Sequence, residues 1–187
     1  MSAPEPLTLS GHAALTGVWY PVGGKFMEQL SRGAFKRTLS ENPDVVLTLE
    51  HGAAGSGLPL ARTRAGNLTL GEDAQGLHFS AVLDPEDPDS QLLSRKLANG
   101  SLDGQCSFMF QATSQEWSED YKQRTVRGAS LHKGDVSIVV QGANDQTYAS
   151  MTAPRTSSAT QERRAIYVPD LATRYRLRLM ALETRRQ

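Results

Sequence analysis

Hydrophobic positions along the chain recur mainly at the two-residue period of strands, in short runs separated by turn residues. The clearest case spans residues 67–83: Leu68 and Leu70, a turn from Gly71 to Gly76, then Leu77, Phe79, Ala81 and Leu83 in alternation, with His78 on the polar face. This pattern predicts a hairpin. Further strands are predicted from Leu7 onward, over the apolar run 45–49 that carries Glu50 and His51, over residues 106–110, over 125–131 and over 135–140. Two helices are expected. One lies in the stretch 26–39, with Phe35 and Leu39 on one face and Pro43 beyond its end. The other is capped by Asp87, has Pro88 at its first position, buries Leu92, Leu93 and Leu97, and ends at Gly100.

Many short strands, few helices and no strand–helix alternation predict an α+β chain, mainly an antiparallel closed β-barrel with helices packed outside. Its 187 residues, 39% hydrophobic, suit one core with an appendage. The expected division is a domain over residues 1–151, a Ser/Thr/Pro/Arg-rich linker over 152–164 and a basic amphipathic helix over 165–187. In that last segment Asp170 is the cap, and Leu171, Tyr175, Leu179 and Leu182 form a stripe. The formal net charge of zero argues against bulk nucleic-acid binding, yet residues 151–187 carry eight arginines against three acids. No run reaches the roughly 18 to 20 apolar residues of a membrane helix, so a soluble intracellular chain is expected. One cysteine and four scattered histidines imply no internal disulfide, no metal and no cofactor.

Candidate chemistry centres on residues 102–110. Strand alternation puts Cys106, Phe108 and Phe110 on one face and leaves Ser107, Met109 and Gln111 on the other. A serine hydroxyl needs a base to become a nucleophile, and His51, at the end of an apolar strand and before the glycine-rich loop 52–57, is the candidate. Cys106 is a rival nucleophile, but alternation assigns it to the buried face, where a thiol acts as a small hydrophobe. His12 and His78 are read as structural.

Four segments in this order, Arg32-Gly33-Ala34-Phe35 to Leu39, the strand ending in His51, Gly104-Gln105-Cys106-Ser107-Phe108, and Asp135-Val136-Ser137-Ile138-Val139 leading to Gly142-Ala143-Asn144, resemble the prohead maturation proteases of HK97-type tailed phages. Those enzymes are related in fold to the herpesvirus assembly proteases. The resemblance covers about residues 10–148. It implies a serine endopeptidase, active inside the procapsid in the host cytoplasm, that cleaves scaffold segments of the major capsid protein and itself. It leaves a homodimer open and implies neither nucleic acid nor membrane as a partner.

On the same resemblance Ser107 matches the nucleophile, His51 the base and Asp135 the third member, with Ala143 and Asn144 as oxyanion-hole donors. Met109 stands where the family usually has glycine, and Gly142 and Asp145 stand where it has prolines. His132 is the alternative third member, since the herpesvirus relatives use a second histidine; Asp135 is preferred because it abuts Val136-Ser137. The competing functional reading is a capsid-assembly or scaffold protein that keeps the fold without the chemistry.

Overall fold

In β1 (Leu7–Leu15) and β7 (Gly76–Leu83) the alternation of the sequence becomes a buried face. Leu77, Phe79, Ala81 and Leu83 are at most 1% exposed, whereas Val82 on the other face is 47% exposed. Each large side chain of this kind contributes about 1.5–3 kcal/mol by leaving water. The computed structural model describes residues 6–152. The expected linker and tail helix therefore lie outside the described residues, apart from Thr152.

The remaining elements are β2 (Tyr20–Val22), β3 (Phe26–Leu30), α1 (Lys36–Ser40), β4 (Val46–Leu49), β5 (Ala61–Arg62), β6 (Leu68–Glu72), α2 (Pro88–Ala98), β8 (Cys106–Phe108), β9 (Gln111–Trp117), β10 (Gln123–Ser130), β11 (Asp135–Ile138) and β12 (Tyr148–Thr152). The fold is mixed α+β, mostly strands with two short α-helices among the described residues. Where one closed barrel was expected, the ladders form three four-stranded sheets, ordered β12-β1-β7-β6, β2-β3-β10-β9 and β5-β4-β11-β8. Most pairs are antiparallel, but β3 with β10 and β4 with β11 run parallel. A bridge from Thr16 to Leu30 joins the first sheet to the second. The core between the sheets is filled by Leu9, Leu30, Phe35, Leu47, Phe79 and Leu131, among others. Among the described residues no helix is long and apolar enough to cross a membrane.

Two local expectations are corrected. The first half of the stretch 26–39 is not helix but strand β3, and α1 is confined to five residues. Its alternation was masked because one buried position is charged. Glu28 is 3% exposed, and its carboxylate accepts from the Tyr20 hydroxyl at 2.6 Å and from the Arg124 guanidinium on the neighbouring strand. Strand β9 was not anticipated, because it is an edge strand of mostly exposed polar residues, QATSQEW, held by its ladder to β10. Helix α2 forms as expected: the Asp87 side chain accepts from the Asp89 and Ser90 N–H groups at 3.1 and 3.3 Å.

Candidate active site

The third sheet positions the site. In β8, β11 and β4, Ser107 lies opposite Ser137, and Ser137 lies opposite Thr48, so the three hydroxyl residues form a row across adjacent strands. Directly paired residues share a face, with Cβ atoms about 5 Å apart. Asp135, two residues before Ser137 on β11, projects to that same face. Ser137 is fully buried, and Thr48 and Asp135 nearly so.

His51 is brought over this row by the turn after β4. Glu50 and His51 both adopt left-handed backbone conformations, φ 48° and 55°, a conformation that costs non-glycine residues on the order of 1 kcal/mol each. Side chains hold the turn in place. The His51 N–H donates to Ser137 Oγ at 2.8 Å, the Ser137 hydroxyl donates to the Thr48 carbonyl at 3.2 Å, and the Glu50 carboxylate accepts from the Val140 N–H. His51 is thus bonded through its backbone to the cross-strand neighbour of Ser107.

The imidazole Nδ1 of His51 lies 3.0 and 2.9 Å from the two Asp135 oxygens. A carboxylate only accepts, so Nδ1 carries the hydrogen and the neutral ring keeps its lone pair at Nε2. Asp135 is held by two further donors, the Thr48 hydroxyl at 3.1 Å to Oδ2 and the Met109 N–H at 3.1 Å to Oδ1. The structure therefore joins His51 to Asp135. His132 sits in the exposed turn before β11, where its Nδ1 accepts from the Asp44 N–H at 3.4 Å.

Cys106 is 1% exposed, its thiol donates to the Gly104 carbonyl at 3.5 Å, and burial pushes its pKa up. Its backbone is clamped by Thr147, whose hydroxyl accepts from the Cys106 N–H at 2.9 Å and donates to its carbonyl at 2.8 Å. The Thr147 N–H donates to the Asn144 carbonyl at 3.3 Å, and with the clamp on Cys106 this ties the loop after β11 to β8. Gly142 permits that approach, since a Cβ there would sit 2.8 Å from the Cys106 carbonyl. As a result Ala143 and Asn144 line, together with Ser107, a cavity of about 220 Å³. Among the described residues no cluster of three or more His, Cys, Asp and Glu side chains could hold a metal ion.

Thr48 and Ser137 were not singled out as site residues in the sequence, although each is a lone hydroxyl inside an apolar run. Such a residue, once buried, requires a partner, and that requirement is the signal that could have found them.

None of the curated proteins compared with the chain matches it. Among solved structures it is similar to the KSHV protease in complex with a hexapeptide phosphonate inhibitor, with a TM-score of 0.46 and 14% identity over 80% of this chain and 66% of that one. The sequence model of the family described as Caudovirus prohead serine protease matches residues 2–162, most of the chain, which therefore belongs to that family.

Proposed function

We propose that Ser107, His51 and Asp135 form the triad of a serine endopeptidase that cleaves scaffold segments of the major capsid protein, and itself, inside the procapsid. The observation that carries this reading is the His51–Asp135 contact at 2.9 Å, anchored through Ser137 beside Ser107. His51 Nε2 takes the Ser107 proton as Oγ bonds to the scissile carbonyl carbon. The carbonyl oxygen becomes an oxyanion, met by backbone N–H groups at Ala143 and Asn144. Asp135 stabilises the imidazolium, which then gives its proton to the leaving amine. Water, deprotonated by the same histidine, releases the acyl group and restores Ser107.

The burial and raised pKa of Cys106 oppose a thiolate nucleophile. The retained contact of His51 with Asp135 opposes an assembly protein without chemistry. The basic segment 165–187 is assigned on composition as the part that docks on capsid or scaffold protein. Incubation of the full chain with a fluorophosphonate, followed by peptide mapping, tests the nucleophile. The adduct is expected on Ser107 and is lost in His51→Ala; an adduct on another residue, or none, overturns the assignment.

A further inference from the structure

The cavity beside Ser107 is lined by residues of β8 and of the second sheet, with Ala13, Ala14, Leu30, Phe108 and Phe110 among its apolar residues and the Tyr20–Glu28–Arg124 cluster among its polar ones. Resting on Ser107 as nucleophile, we propose that this cavity is the S1 subsite, and that the cluster makes the protease select a medium-sized uncharged residue on the acyl side of the scissile bond. In the tetrahedral adduct only the carbonyl carbon and Cα separate the serine oxygen from the Cβ of that residue. A cavity that Ser107 itself lines is therefore within reach of its side chain. Size follows from the volume. An apolar cavity of about 150 Å³ accepts benzene, so about 220 Å³ holds a leucine, glutamine or phenylalanine side chain.

Charge selection follows from the cluster. The Glu28 oxygens already accept from the Tyr20 hydroxyl at 2.6 Å and from two nitrogens of Arg124. Arg124 in turn donates to Gln115 Oε1 at 3.3 Å, and its guanidinium lies over the Phe26 and Trp117 rings, 5.4 and 5.6 Å from their centroids. The pair is neutral and fixed. A substrate lysine would find the carboxylate occupied, and a substrate glutamate would find the guanidinium occupied, so either brings an uncompensated charge into a partly enclosed space. The cost of an unpaired charge in such a site corresponds to at least a hundredfold loss of rate.

The test uses the full chain and N-acetyl tripeptidyl diphenyl phosphonates that differ only in the residue at the phosphonate, namely Ala, Leu, Gln, Glu and Lys. Phosphonylation of Ser107, with loss of phenol, is followed by intact mass for the rate and by peptide mapping for the site. Leu and Gln are expected to react fastest, with Glu and Lys at least about a hundredfold slower. Arg124→Met frees the Glu28 carboxylate and should raise the Lys rate, relative to Leu, at least tenfold. Val22→Phe, at a half-buried wall position, should shift the preference to Ala, and it decides the matter if Arg124→Met does not fold. Equal rates across the series, or an unchanged order in Val22→Phe, overturn the subsite while Ser107 is still labelled. Failure of every phosphonate and of a simple fluorophosphonate to label Ser107 overturns the nucleophile, and the subsite with it.

Discussion

Replacing Asp135 by Asn is the most informative single change behind His51, because it keeps the shape and alters only what the group can donate and accept. The two oxygens receive His51 Nδ1, the Thr48 hydroxyl on Oδ2 and the Met109 N–H on Oδ1. With the amide nitrogen at the Oδ1 position, it would oppose the Met109 N–H, a backbone donor that cannot turn away. With the nitrogen at the Oδ2 position, the Thr48 hydroxyl can rotate and accept, donating instead to Ser137 Oγ, 3.3 Å away. The second orientation is therefore favoured, and there the amide N–H donates to His51 Nδ1. The ring then carries its hydrogen on Nε2, the tautomer that cannot accept the serine proton.

Loss of the correct tautomer in a triad costs on the order of 10⁴ in turnover, about 5.5 kcal/mol of transition-state stabilisation. Stability changes far less, by about 1–2 kcal/mol, or roughly 2–8 °C in Tm. The assay is the second-order rate of fluorophosphonate labelling at Ser107, which needs no knowledge of the natural cleavage site, with His132→Gln as the control that stays within a few-fold of the parent. An Asp135→Asn variant within tenfold of the parent, or a His132→Gln variant that loses as much, would refute the assignment of the third member.

Thr48→Val removes a hydroxyl donor from a buried carboxylate and should lower Tm by roughly 4–8 °C, the equivalent of about 2 kcal/mol; an unchanged Tm in thermal melts would show that the donor contributes nothing. The Gly76 and Gln75 N–H groups, then His12, hold the Asp73 carboxyl at a pKa of about 2. A depressed carboxyl contributes stability that is present above its ordinary value of 3.8 and is lost as pH falls towards 2, so Asp73→Asn should flatten the acid limb of Tm against pH in that window. Ending the chain at Thr152, whose strand β12 is paired with β1, should leave Ser107 labelling intact and reduce the protease copies counted in purified procapsids.

Much of the strand framework was legible because its alternation is uninterrupted, as in β7, where every second residue is apolar and buried. Legibility failed where a charge is buried or a strand is exposed. Glu28 in β3 looks like a surface residue until Tyr20 and Arg124 are placed beside it, and β9 has no apolar face to announce it. At the site, His51 stood out by its place after an apolar strand and Asp135 only through the family resemblance, and their contact needed the parallel pairing of β4 with β11, which no local pattern encodes. The same holds for the left-handed turn at Glu50 and His51: glutamate seldom takes positive φ, and histidine, though enriched there, takes it in only a minority of cases. The registers joining Ser107, Ser137 and Thr48 are likewise tertiary facts.

The central claim, that the Ser107 hydroxyl performs the cleavage, is tested most directly by co-expressing the full chain and its Ser107→Ala variant with the major capsid protein of the same phage and measuring the intact masses of both partners. The parent should shorten the capsid protein and itself. Ser107→Ala, folded by circular dichroism, should leave both at full length. Cleavage by Ser107→Ala at the parent's level, abolished instead by Cys106→Ala, would contradict the account.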